Sequence, residues 1–452
     1  MAPSTPDILR DEDHMFDSEP SHELEWQLLD DTDSSDSEAT SQDSISTHDI
    51  LTAPLMSREA YTYIQREKRI AQYGVIGKAL SVHHKGQVEI MEDQRLYLNT
   101  NTPFSAIVCG VQGSGKSHTV STILENMLIS GFLAIGSLSK ALCGLVLHYG
   151  EGGSSALPNE AAWLSSSLSS HVHGPPIYAP LGDKVTVEPL LFQSSELDAA
   201  AILSMMAVGS SESAPLYMQI ILSLLRDLGE NYTYKAFMDK LELSKQKFNP
   251  AQLTDPSPPP KKKGATASRA SRFHPGQLTI IDLSDPFLDT SSACGLFEIV
   301  VRLFVRANVG TGKVLVVDEA HKILKRSHQV SVESHTATAP FSYESHHKYS
   351  RFSSPTWWQH LIQHVPTDFS NSDAFDKVVK LQTGQAIVLA PSAIGLFSGS
   401  ESHKAESKER VELKSDLSQP KTLARFGRRY LIMKTRKRVT ADGGASVLVL
   451  NR

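Results

Sequence analysis

Residues 104–120 read FSAIVCGVQGSGKSHTV. An apolar run breaks into glycines, and these give way to Lys116, Ser117 and an apolar pattern of helical period. The spacing predicts a buried strand over 106–109 and a helix over 117–129. Gly110, four intervening residues, then Gly115, Lys116 and Ser117 match the Walker A spacing. Glycines at these positions let backbone N–H groups converge on phosphate oxygens at a helix N-terminus, Lys116 adds a point charge, and the Ser117 hydroxyl is suited to Mg²⁺. The candidate nucleotide-binding set is Gly110, Gly113, Ser114, Gly115, Lys116, Ser117 and His118. The plainer reading is a glycine-rich strand-to-helix turn with no ligand.

A second motif complements the first. In VLVVDEAHKIL, residues 314–324, four apolar residues deliver Asp318 and Glu319 to the carboxyl edge of a strand predicted over 313–317, where ligand crevices of open α/β sheets lie. Asp318 is the candidate metal ligand alongside Ser117. Glu319 is the candidate base for water, so it and Lys116 form the catalytic pair. An acidic helix start after a core strand is the alternative. His321 reads as a surface histidine or a polar bridge. Ser284 and Asp285 read either as phosphate or water contacts or as a turn and cap before Pro286.

The chain of 452 residues is long enough for a sizeable core, and its net charge of −6 is unevenly spread. Residues 1–50 hold fifteen acidic side chains against Arg10 alone, and the remainder carries +8. That predicts a disordered acidic leader, with serines open to phosphorylation, ahead of a body able to meet polyanions. Cys109, Cys143 and Cys294 lack paired spacing and read as reduced core thiols of an intracellular protein, nucleus or cytoplasm alike. The sequence shows no secretory signal and no apolar run long enough to span a membrane.

Along the chain, 51–103 reads as a collar or sheet extension containing a helix from Ser57 and a short strand pair in VEIMEDQRLYLN. The core extends over 104–450. GLVLHYG reads as a strand, and the Gly/Ser/Pro-rich stretch from Gly150 to Pro176 as an exposed loop with a brief helix near Ala161. VTVEPLL reads as a strand, followed by a helical insertion over 192–250 whose Met205, Met206 and Met218 fill a core. A flexible linker spans 254–275 and includes PPPKKKG, a weak phosphate-contact or import patch. A strand over 278–283, a helix over 292–309 and the strand over 313–317 form a βαβ unit. Its helix carries a wet stripe of Glu298, Arg302 and Arg306. With the glycine-loop unit this gives an α/β fold, a mainly parallel sheet flanked by helices.

GVQGSGKS, LTIIDLSDPF and VLVVDEAH, in that order, resemble the HerA/FtsK-type branch of P-loop ATPases, and uncharacterised fungal P-loop proteins of that type. VEPLLFQSSELDAAAILSMMAVG, SSPTWWQHLIQHV, LQTGQAIVLAPSAI and TRKRVTADGGAS extend the resemblance over most of 90–450. It implies a RecA-like P-loop NTPase fold, ATP and Mg²⁺ as cofactors, a homo-hexameric ring and double-stranded DNA as the polymer acted upon. By resemblance Gly110, Gly113, Gly115, Lys116 and Ser117 bind nucleotide, Asp318 serves magnesium and Glu319 catalyses.

The chain departs from that pattern after Glu319. The resemblance predicts a helix and an apolar strand ending in a γ-phosphate sensor, whereas 325–352 is irregular, polar and histidine-rich, without metal-ligand spacing. SSPTWWQHLIQHV reads as a capped helix, and Trp357 and Trp358 as core or interface residues or as base-stacking platforms. Residues 399–420 read as a mobile charged stretch, and the tail as a hairpin turning at 441–444. Its basic residues allow three readings: a solvated strand, a DNA-phosphate contact, or an arginine finger reaching a neighbouring subunit, with Arg436 and Arg438 as finger candidates.

Overall fold

Strand burial on both sides decides the architecture. A computed structural model describes residues 45–65, 72–150, 157–166, 170–173, 178, 181–205, 216–244, 272–320, 365, 367–368, 376–398 and 421–441. The expectations for the leader before Ile45, the lysine-rich linker, His321 and the irregular segment, the Trp357–Trp358 helix, residues 399–420 and the turn past Ala441 lie outside the described residues.

In chain order, α1 (Thr47–Thr52), β1 (Leu55–Ser57) and α2 (Arg58–Gln65) precede β2 (Tyr73–His84), β3 (Gln87–Glu89) and β4 (Arg95–Asn99). The glycine loop opens α3 (Lys116–Leu128), followed by β5 (Gly136–Ser137), β6 (Cys143–His148), a 3-10 turn (Glu160–Ser166), β7 (Ser170–His173) and β8 (Val185–Glu188). The helical insertion supplies α4 (Ala199–Met205), α5 (Leu216–Leu228) and α6 (Tyr234–Leu243). Then come β9 (Leu278–Asp282), α7 (Thr290–Arg306), β10 (Lys313–Val317), β11 (Gln385–Leu389), β12 (Ile394–Ser398), β13 (Lys421–Arg425) and β14 (Tyr430–Thr435).

The protein is α/β with two sheets. One is wholly parallel, five strands in the order β10-β6-β9-β7-β8. Its central strands are apolar on both faces because helices cover both. From β6, Cys143, Leu145 and Leu147 pack with Phe297, Val300 and Phe304 of α7. Val146 points the other way, into a core with Leu124, Met127 and Leu128 of α3. The period of two in a strand buried on both faces thus assigns alternate residues to different helices.

The other sheet is mixed and nine-stranded, with the path β11-β14-β2-β4-β1-β12-β13 and with β3 and β5 added on β2. Only β1 and β12 pair in parallel. It joins residues 55–99 to residues 385–435, so the stretch read as a collar is half of a sheet completed by the chain's far end.

Several sequence expectations fail for identifiable reasons. Residues 106–109 join no ladder, and Ile107 is 71% exposed. Consequently β10 has β6 as its one described partner and leaves Leu315 and Val317 exposed. Cys109 is exposed for the same reason, unlike buried Cys143. The βαβ unit of β9, α7 and β10 does not join neighbours, since β6 lies between its strands. Ser170–His173, read as loop, is the strand β7 between β9 and β8, with Val172 fully buried. Its brevity and polar ends hid it. The short strands β3 and β4 pair with β2, not with each other.

The insertion packs its own core, in which Ile202, Leu224, Leu225, Leu228 and Phe237 are buried. Met218 is buried and Met205 partly so, in keeping with core filling. The stripe of α7 meets this insertion, with Arg306 3.5 Å and Arg302 3.8 Å from Asp198. Gly295 permits close approach, because a Cβ there would lie 2.1 Å from the Ser204 carbonyl oxygen. An exposed helix gains about 1 kcal/mol from Gly→Ala. At Gly295 that sign reverses: Gly295→Ala is expected to destabilise by about 1–3 kcal/mol as α4 is forced off α7, read by urea unfolding.

Candidate functional site

The glycine loop turns at Gly113 (φ 79°) and Gly115 (φ 98°), both in the left-handed region that glycine tolerates. Gly115 is the N-cap of α3 and provides no side-chain acceptor, so no cap bond covers the first amides of a 13-residue helix. A Cβ at Gly110 would lie 2.5 Å from Ser114 Oγ, so a side chain there would require the Ser114 hydroxyl to turn away. Lys116 folds back on its own loop, donating from Nζ to the Val111 carbonyl at 3.0 Å. Ser117 is exposed. On the loop's other side, Gly384 donates its N–H to the Ser114 carbonyl at 3.3 Å, bringing the turn before β11 against the loop.

His118 does not join this set. Its Nε2 lies 2.8 Å from the Arg436 carbonyl oxygen, so the ring is turned into the segment after β14 and away from the loop. Thr119 Oγ1 makes the parallel contact with Thr435 Oγ1 at 3.1 Å.

Asp318 follows the last residue of β10, and its N–H donates to the Leu147 carbonyl at 2.9 Å. His148 Nδ1 lies 3.0 Å from Asp318 Oδ2, and Asn159 Nδ2 donates to the same oxygen at 2.8 Å. Asp318 Oδ1 accepts from the Glu319 N–H at 3.0 Å. Glu319 has φ 53°, a left-handed conformation that is strained for a side chain of this size. Burial works against the charge of Asp318, but His148, Asn159 and the Glu319 amide together hold its pKa below the ordinary carboxylate range. Burial also opposes the charge of His148. The Asp318 hydrogen bond, with the charges of Asp282, Asp318 and Glu319, outweighs it and raises the histidine.

Behind this pair, Tyr178 donates from its hydroxyl to Asp282 Oδ2 at 2.5 Å and accepts from the Asn159 N–H at 3.0 Å. Tyr178 is fully buried, and burial followed by the Asp282 charge pushes its pKa upward. Ser284 Oγ accepts from the Gly150 N–H, tying the segment after β9 to the end of β6, and Asp285 Oδ1 accepts from the Phe287 N–H, a turn contact. Asp289 is the cap of α7.

Leu128, at the end of α3, packs over Gly144 at the start of β6, and Leu142 donates to the Met127 carbonyl. The carboxyl end of α3 therefore lies at the amino end of β6. Lys116 is bonded within its own loop and not to either acidic residue.

The two arginine-finger candidates are placed in the interior of their own chain. Arg436 donates to Glu125 Oε2 at 2.7 Å, Asn126 Oδ1 at 2.9 Å and the Val75 carbonyl at 2.6 Å. Arg438 pairs with Glu160 and lies 3.8 Å from Glu125 Oε1. Their side chains are 13% and 2% exposed, and that of Glu125 is fully buried. Basic residues read as a surface feature thus neutralise a buried carboxylate of α3. Burial lowers the pKa of Arg436, with Glu125 opposing.

His148, Asn159 and Tyr178 carried no motif in the sequence, and Asp282 lay in LTIIDLSDPF without an assigned role. The one available signal was position, since His148 ends a predicted strand and Asp282 ends another. Among the described residues no group of three or more His, Cys, Asp or Glu is arranged to hold a metal ion, so any cation here would need oxygens from its ligand as well.

Two outcomes are expected. Glu125→Ala leaves the buried Arg436 guanidinium without its carboxylate and the Val439 and Thr440 donors without their acceptor, and is expected to cost about 3–5 kcal/mol in urea unfolding. The raised pKa of His148 gives stability present below about pH 6.5 and lost as pH rises through its folded value. Asp318, with its lowered pKa, gives stability present above about pH 3.9 and lost as pH falls through its folded value. The melting-temperature gap between wild type and His148→Asn is therefore largest near pH 5–6 and shrinks toward about pH 8, read by thermal melts.

No protein-family model, no curated protein and no solved structure matches this chain.

Proposed function

We propose that the chain is an ATP-binding, Mg²⁺-dependent ATP hydrolase with a RecA-like P-loop core. The observation that carries this reading is the uncapped start of α3 behind two left-handed glycines, which the motif resemblance couples to Asp318 and Glu319. Uncapped amides and a helix dipole favour an oxyanion, and Lys116, now held by a carbonyl, has a charge to transfer to a phosphate. The donor set fits a nucleoside triphosphate with magnesium: Gly113, Ser114, Gly115 and Lys116 face phosphate, while Ser117 and Asp318 would hold the metal. When bound, the cation supplies positive charge against the phosphate oxygens.

Lys116 and the loop amides hold the γ-phosphoryl group and stabilise charge as it develops. Glu319 accepts a proton from water as the water oxygen bonds to γ-phosphorus and the bond from that phosphorus to the bridging oxygen breaks. Asp318 is kept ionised by His148 and Asn159. Preference for adenine, action on double-stranded DNA and a homo-hexameric ring belong to this proposal through the motif resemblance and the net +8 of the body. Among the described residues no helix is long and apolar enough to cross a membrane.

A nucleotide-binding regulatory protein with weak turnover is the second reading. It is favoured by the stretch before the loop that joins no ladder and by β10 having one partner among the described residues. ATP turnover and binding by wild type, Lys116→Ala and Glu319→Gln distinguish the two. Glu319→Gln is expected to lower kcat by about 10²–10⁴-fold while retaining nucleotide, and Lys116→Ala to weaken binding. Equal turnover by all three rejects the mechanism. Binding without turnover, with DNA present, selects the second reading.

A further inference from the structure

Asp318 stands where the β10 ladder ends, with its side chain 39% exposed, and the strand alone does not fix its rotamer. Two donors from different elements converge on a single oxygen of it. His148 approaches from the end of β6 and Asn159 from the residue before the 3-10 turn, and both address Oδ2. Oδ1 is left with the adjacent Glu319 amide.

Asn159 is itself held firmly. It is 6% exposed, its N–H donates to the Tyr178 hydroxyl, and its Oδ1 accepts from the Ala161 N–H at 3.0 Å. Tyr178 is braced in turn by Asp282 at 2.5 Å. The next residue, Glu160, pairs with Arg438, which lies beside Glu125 of the phosphate-loop helix. Residue 159 is thus bonded to Asp318, and residue 160 stands, through Arg438, next to the helix that carries the glycine loop.

We infer that Asn159 is a positioning residue that orients the Asp318 carboxylate for a divalent cation accompanying the nucleotide, with His148 as its second anchor. The inference rests on the nucleotide-binding reading above. Two hydrogen bonds occupy Oδ2 and set the carboxylate plane, so Oδ1 is the oxygen offered to the cation. A carboxylate ligand loses about 10–100-fold in metal affinity or activity when such supporting bonds are removed.

The test is equilibrium binding of a fluorescent ATP analogue, first in EDTA and then titrated with Mg²⁺. Asn159→Ser keeps a short acceptor for the Ala161 amide but cannot reach Asp318. It is expected to raise the Mg²⁺ midpoint about 10-fold or more while leaving metal-free affinity unchanged. His148→Ala is expected to shift the midpoint in the same direction, and His148→Asn, whose amide stands where Nδ1 was, to restore it. A wild-type midpoint in Asn159→Ser overturns the positioning role, as does loss of metal-free binding in that variant. Wild-type binding with no response to Mg²⁺ overturns the role while leaving nucleotide binding intact. Failure of the wild type to bind the analogue overturns both readings.

Discussion

Glu125 imposes the central constraint, because a carboxylate with no access to water must be matched by donors or it would unfold the helix around it. Its Oε2 accepts from Arg436, and its Oε1 from the N–H groups of Val439 and Thr440 and from the Thr440 hydroxyl. All of these donors come from the segment following β14, more than three hundred positions away in sequence. The place of α3 in the fold thus depends on donors from residues 436–440.

That closure joins the two sheets. On one face, α3 packs Leu124, Met127 and Leu128 against the parallel sheet. Asn126 donates to the Val75 carbonyl of β2, and a Cβ at Gly74 would lie 2.3 Å from Asn126 Cγ, so helix and mixed sheet approach closely there. The loop at the head of α3 inherits both constraints. Its Ser114 carbonyl is met by Gly384, whose own carbonyl accepts from the Thr435 N–H. The glycine loop and α3 are thus held at a seam between residues 72–128 and residues 384–440.

Much of the local structure was legible because it depends on neighbours in sequence. The strand at Lys313–Val317 has the predicted bounds, and α3, β9 and α7 lie within a few residues of theirs. The stretch 106–109 has equally strong apolar character, yet it joins no sheet, since a strand requires a partner as well as a pattern. His148 and Asn159 were not legible as site residues. Nothing near them in sequence announces Asp318, which lies 170 and 159 positions away. Arg436 and Arg438 looked like surface charge because their carboxylate sits in a distant helix.

The sequence by itself determined the elements and their chemistry: glycines able to turn a loop, a lysine and serine at the head of a helix, and two acids at the end of an apolar strand. These follow from dihedral freedom, hydrophobic period and side-chain type, all of them local properties. Tertiary structure decided which strands pair, which charges are buried, and which donors hold Asp318 and Glu125. Such choices depend on desolvation and on hydrogen bonds between distant segments, and a buried charge finds its partner only when the whole chain has closed around it.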